Sequence, residues 1–84
     1  MGRDRVAEAL IRYLKVHGRR ILSNASEQEM VRIEIRALFR YYERESRDDR
    51  LERRIEGFEW RGCRVDGEHL MVPLSLVREV LELE

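Results

Sequence analysis

The spacing of the apolar residues changes its period once, near Phe58, and this change constrains the fold class. Before Phe58 the apolar residues recur every three to four positions, as in amphipathic helices. After it, residues 60–72 alternate around Asp66-Gly67, and Pro73 follows. This pattern predicts a β-hairpin with Asp66-Gly67 as a two-residue turn of type I′. We therefore predict an α+β fold with one C-terminal hairpin.

The helical part of the chain is predicted to contain one long central helix flanked by shorter ones. Gly18 supplies an end for the first helix, and Ser26 and Glu29 form a capping box that begins the second. The predicted helices span residues 4–17 and 26–46, a short segment ending at Gly57, and residues 76–83. No linker interrupts the 84 residues, so we predict a single helix-rich domain over residues 1–84.

The predicted central helix is apolar over more than half of its circumference. A surface helix shows an apolar stripe of little more than about 100°, so the remainder needs a partner. We therefore predict a homodimer. The side chains predicted at its interface are Val31, Ile35, Leu38, Phe39 and Tyr42. Glu34 lies within the apolar arc, where a carboxylate is costly unless it is paired; pairing with an arginine is favoured over a catalytic role.

Charged residues make up 40% of the chain, and its 17 basic and 17 acidic groups balance. Lys15 is the only lysine, and the other basic residues are arginines. Genome composition, adaptation to heat and phosphate binding all explain this excess of arginine, and composition does not separate them. The balance is uneven along the chain, because residues 1–25 carry six basic and two acidic groups.

The first helix carries a basic stripe opposite its apolar face. Helical spacing aligns Arg5, Arg12, Lys15 and Arg19, and Arg20 follows. These five residues are the predicted nucleic-acid-binding residues. The order of helices and hairpin resembles that of a winged helix, so the alternative function is a DNA- or RNA-binding regulator. The neutral total charge and the acidic residues at the hairpin tip argue against it.

No catalytic or metal-binding motif is present in the sequence. His17 and His69 are too few and too far apart for a histidine metal site, and Cys63 is the only cysteine. The predicted hairpin places Cys63 and His69 on opposite faces, which separates the one candidate nucleophile from a base. We predict no enzymatic activity, no cofactor and no metal.

Neither a signal-peptide core nor a stretch approaching about 20 apolar residues occurs. We therefore predict a cytoplasmic protein without membrane contact. The predicted function is a non-catalytic, self-associating interaction module whose basic first helix faces nucleic acid. The ligand and the biological process are left open.

Overall fold

The computed structural model describes residues 4–25, 28–44 and 46–82. The first element is the helix α1, Arg5–Asn24. It begins at Asp4, whose carboxylate accepts hydrogen bonds from the backbone N–H groups of Val6 at 2.8 Å and Ala7 at 3.4 Å. Such a cap satisfies N–H groups that have no partner within the helix. The capping box predicted at Ser26 lies outside the described residues.

Helix α1 passes through Gly18, where the sequence predicted its end. A Cβ atom at Gly18 would lie 3.2 Å from a methyl carbon of Leu81 on the C-terminal helix. The glycine is therefore used for a close helix contact and not as a cap. A glycine inside a helix costs about 1 kcal/mol relative to alanine, and packing across the contact offsets this cost.

The predicted central helix is wrong. Its sequence forms the strand β1, Met30–Glu34, followed by a 3₁₀ helix over Ile35–Tyr41. The strand buries Val31 and Ile33 and exposes Arg32 and Glu34. This alternation has the period of two that a strand requires, and β-branched side chains favour strands. The segment has apolar residues around most of a helical wheel because its first part is extended and therefore lacks the period of a helix.

The remaining elements follow the predicted order, except that the first hairpin strand, predicted from Trp60, is interrupted at Arg61-Gly62 and divides into two paired strands. They are the one-turn helix α2, Leu51–Arg54; the strands β2, Glu59–Trp60, β3, Cys63–Asp66, and β4, His69–Pro73; and the helix α3, Leu74–Glu82. The α+β class, the hairpin and the terminal helix are therefore confirmed. The element order of a winged helix is not found, because a strand and a 3₁₀ helix follow α1 where a winged helix has its next α-helices.

The hairpin turn differs from the prediction by one residue. Asp66 pairs with His69, so the loop is Gly67-Glu68 and not Asp66-Gly67. Gly67 has a φ of +63°, while Asp66 and Glu68 have negative φ. A positive φ at the first loop residue alone is the pattern of a type II′ turn, which favours glycine there.

The four strands form one antiparallel sheet in the order β1-β4-β3-β2. One face, which we call the inner face, carries Val31, Ile33, Leu70, Val72 and Cys63. These side chains join one hydrophobic core with residues of both long helices, including Val6, Leu10, Leu14, Val77 and Val80. The other face, the outer face, carries partly or fully exposed residues.

Candidate functional site

The N-terminal half of the predicted basic stripe is neutralised within the chain. Nε of Arg5 lies 3.6 Å from Oδ2 of Asp49, and Nη1 of Arg5 donates to the backbone oxygen of Glu43 at 3.2 Å. Nη1 of Arg12 lies 2.8 Å from Oε1 of Glu43. These two arginines connect α1 to the segment after the 3₁₀ helix, and each has a carboxylate beside it that opposes the approach of a phosphate.

The C-terminal half of the stripe is exposed. Lys15, Arg19 and Arg20 are all exposed, and no acidic side chain of the described residues lies within 4.0 Å of their charged nitrogens. Nη2 of Arg20 lies 3.0 Å from Nδ1 of His17. Arginine only donates hydrogen bonds, so Nδ1 must accept. The hydrogen of His17 is then on Nε2, which donates to the Tyr41 hydroxyl at 3.1 Å.

Tyr13 completes an aromatic cluster with His17 and Tyr41 on the same side of α1. The ring of Tyr13 lies 4.6 Å from that of His17 and meets Tyr41 edge-on at 5.8 Å. Burial raises the pKa of Tyr13; the Arg20 charge opposes this rise, and Tyr41 and Glu34 add to it. The ring contacts make the cluster a packed contact between α1 and the 3₁₀ helix.

A buried carboxylate, Asp49, organises the segment between the 3₁₀ helix and α2. Only 6% of Asp49 is exposed. Its Oδ1 accepts hydrogen bonds from the Tyr42 hydroxyl and from Nε of Arg54, both at 2.6 Å. Burial, the hydrogen bond to Asp49 and the negative charge of Asp49 together raise the pKa of Tyr42 to about 12, against the charges of Arg54 and Arg5. No local sequence pattern marks this role of Asp49, because its partners Arg5 and Tyr42 approach it only through the tertiary fold.

The five residues predicted for the dimer interface do not form one surface. Val31 and Leu38 are buried in the core of their own chain, at 6% and 0% exposure. Ile35 and Tyr42 are half-buried, and Phe39 is 47% exposed. Phe39 borders a shallow hollow between the 3₁₀ helix, α2 and the hairpin tip. The structure therefore removes the continuous helical face on which that prediction depended.

The strand β1 lies at the border of the sheet and pairs with β4 on one side only, so its other edge is free. The ladder to β4 uses odd-numbered residues, because Ile35 N–H donates to Glu68 and Leu74 N–H donates to Glu29. The backbone N–H and C=O groups of Met30, Arg32 and Glu34 therefore point away from β4. Among the described residues these groups have no backbone partner, except the C=O of Glu34, which accepts the first hydrogen bond of the 3₁₀ helix.

A groove runs along this free edge between β1 and the C-terminal half of α1. Half-buried apolar side chains line it together with polar ones; its walls include Tyr13, Arg20, Ile21, Val31, Arg32 and Ile33. Val16, which is 64% exposed, lies one helical turn from both Tyr13 and Arg20. The edge and the groove form one candidate surface, which we call the β1 surface.

Glu34 and Arg32 lie on the outer face of the sheet at this edge, and both are exposed. Nη2 of Arg32 lies 3.3 Å from Nδ1 of His69, the residue that pairs with Glu34 across the ladder. Glu34 is thus not the buried carboxylate that a helical placement implied. The alternation of Val31, Arg32, Ile33, Glu34 and Ile35 is the signal that would have located this edge.

Cys63 and His69, the candidate nucleophile and base, lie on opposite faces of the sheet. Cys63 is buried on the inner face, and burial raises the pKa of its thiol to about 11. His69 lies on the outer face, as predicted. Within residues 4–25, 28–44 and 46–82, no group of three or more His, Cys, Asp or Glu side chains could hold a metal ion. No helix in this part of the chain is both long and apolar enough to cross a membrane.

Comparisons with family models, with curated proteins and with solved structures return no match for the chain. Two features of the molecule bear on function: the β1 surface and the exposed half of the basic stripe.

Proposed function

We propose that the chain is a non-catalytic interaction module that self-associates. The observation that supports this proposal is the free edge of β1, whose backbone groups point outward beside a partly apolar groove. An edge strand with unpaired N–H and C=O groups is a template for pairing with another chain. The short length of the chain adds a physical reason, because a domain of this size buries only about 60–65% of its unfolded surface.

Sedimentation velocity tests this proposal directly. We expect the purified chain to sediment as a dimer, or as a monomer–dimer mixture that shifts with loading, between about 1 and 100 µM, since interfaces of modest size give micromolar dissociation constants. A single monomeric species throughout that range would contradict it.

A second candidate function is nucleic-acid binding by the exposed half of the stripe. Lys15, Arg19 and Arg20 present three positive charges that no acidic side chain of the described residues neutralises. Phosphate contacts release counterions, so log K falls by about 0.9 per contact and log unit of salt on duplex DNA. Three contacts predict a slope near −3.

Fluorescence anisotropy with labelled duplex and single-stranded oligonucleotides measures this slope. Arg19→Ala should flatten it by about one unit, whereas Arg78→Ala, at an exposed position on α3, should leave it unchanged. Affinity that does not respond to salt, or no binding at 50 mM salt, would exclude this candidate.

A further inference from the structure

The β1 surface carries a sequence that is complementary to itself. We propose that two copies of the chain pair antiparallel through β1, about a two-fold axis at Ile33, and so form one continuous sheet of eight strands. This inference rests on the proposed self-association and specifies its geometry.

The hydrogen-bonding groups restrict the possible registers. Only even-numbered residues of β1 direct their N–H and C=O groups outward. A symmetric pair must therefore bring even-numbered residues opposite even-numbered ones. The two-fold axis then passes through Val31, Arg32, Ile33 or Glu34.

Charge distinguishes among these four registers. With the axis at Arg32 or at Glu34, a residue faces its own copy and like charges are opposed, which destabilises a strand pair. With the axis at Val31, Arg32 faces Met30 and gains no charged partner. With the axis at Ile33, Arg32 of each copy faces Glu34 of the other, which makes two pairs of opposite charge on the outer face.

The same register joins the backbones by four hydrogen bonds. The N–H of Glu34 donates to the C=O of Arg32 in the second copy, and the N–H of Arg32 donates to the C=O of Glu34; symmetry doubles both bonds. The C=O of Glu34 accepts this bond with its second lone pair, because the first accepts a bond of the 3₁₀ helix. The two Ile33 residues then meet as a non-hydrogen-bonded pair, whose side chains approach most closely.

At each end of the pairing, Val31 of one copy comes opposite Ile35 of the other, the residue at which the 3₁₀ helix begins. Ile35 is half-buried in the single chain, and the backbone ladder to β4 continues through it. The second strand also covers the groove beside Tyr13 and Ile21, so apolar surface leaves water where the edge pairs. Main-chain bonds supply affinity in such β-augmentation, and the alternate side chains supply specificity.

A charge swap tests the register. Arg32→Glu places carboxylates opposite Glu34 at both symmetric positions and should raise the dimer dissociation constant about tenfold or more. The double variant Arg32→Glu/Glu34→Arg restores opposite charges and should recover most of the wild-type affinity. Arg78→Glu makes the same change of charge at an exposed position of α3 and should have no effect.

Hydrogen exchange gives a second readout that does not depend on a substitution. In the paired state the amides of Arg32 and Glu34 should be protected, and dilution to the monomer should remove that protection. The amides of Val31 and Ile33, which bond to β4, should stay protected in both states. Circular dichroism confirms that each variant is folded.

The outcomes separate this inference from the proposed function. A dimer that survives Arg32→Glu, with fast exchange at Arg32 and Glu34, overturns pairing through β1 while self-association stands. Loss of the dimer in both the single and the double variant overturns the register. A wild-type chain that stays monomeric overturns both.

Discussion

At the scale of single residues, Asp49 shows how a charged side chain is kept inside a small domain. Groups from three parts of the chain contact it, among them Arg5 on α1, Tyr42 after the 3₁₀ helix and Arg54 on α2. Burying a carboxylate is costly unless it is paired and hydrogen-bonded. The contacts of Asp49 meet this condition and hold together a segment with little regular structure.

Asp49→Asn should lower the free energy of unfolding by about 2 kcal/mol, because the hydrogen bonds to a charged acceptor are weakened and two guanidinium groups lose their counter-charge. The partial exposure of Arg5 and Arg54 keeps the loss below that of a fully buried ion pair. Urea unfolding followed by circular dichroism measures it. Asp48→Asn, at the exposed neighbouring position, is the matched control, and equal stability of the two variants would contradict this role.

The raised pKa values of Cys63 and Tyr42 predict that the fold loses stability in alkaline solution. Folding raises the pKa of Cys63 from 9.0 to about 11 and that of Tyr42 from 10.0 to about 12. The folded state therefore favours the protonated forms. This contribution is complete below the unfolded pKa values and is lost as the pH rises through the folded ones.

The free energy of unfolding should therefore fall from about pH 9 upward. Denaturant titrations between pH 8 and 11 measure this fall, and Cys63→Ala should make it shallower by removing the thiol. An identical slope in the variant would show that the thiol does not titrate differently in the folded state.

At the scale of the elements, helix α1, the hairpin and α3 were predicted because each has a regular apolar period. Their bounds were predicted less well, since α1 continues past Gly18 to Asn24 and the hairpin loop lies one residue later than expected. The sequence did not separate β1 from the 3₁₀ helix. Residues 30–35 alternate with the period of a strand, but Ala37, Leu38 and Tyr41 extend the apolar pattern in a helical register. The extended conformation of β1 depends on its pairing with β4, which lies more than thirty residues further along the chain. A local sequence pattern does not contain this pairing.

The residues of the candidate site were predictable to different extents. Exposure of Lys15, Arg19 and Arg20 follows from the helical period of α1. Neutralisation of Arg5 and Arg12 does not, because Asp49 and Glu43 approach α1 only through the tertiary fold.

The close contact between α1 and α3 at Gly18 predicts that a larger side chain there destabilises the fold. Gly18→Leu should destabilise the fold by about 2 kcal/mol, since Leu81 occupies the space that the new side chain needs and the helices must move apart. Thermal and urea unfolding measure the change. Arg19→Leu adds the same side chain at the exposed next position and should change stability by less than about 0.5 kcal/mol; a comparable loss in both variants would show that the contact is not specific.

At the scale of the whole molecule, stability and assembly are coupled if two copies share a sheet. Association stabilises the folded state by mass action, so the unfolding temperature of a dimer rises with protein concentration. We expect an increase of several degrees between 1 and 100 µM for the wild-type chain. Scanning calorimetry over this range should find no such increase for Arg32→Glu, and a wild-type midpoint independent of concentration would contradict the coupling.

The two edge strands of the sheet differ in length, and this difference limits how many chains can join one sheet. At one border, β1 has five residues; at the other, β2 has two residues and is followed by Arg61, which has a φ of +49°. A left-handed residue turns the chain out of the sheet, so that border gives an added strand little to bond with. Once two copies have used their β1 strands, neither end of the eight-stranded sheet can template a third. If two copies pair in this way, the fold itself closes the assembly, and the open strand edge does not lead to a filament.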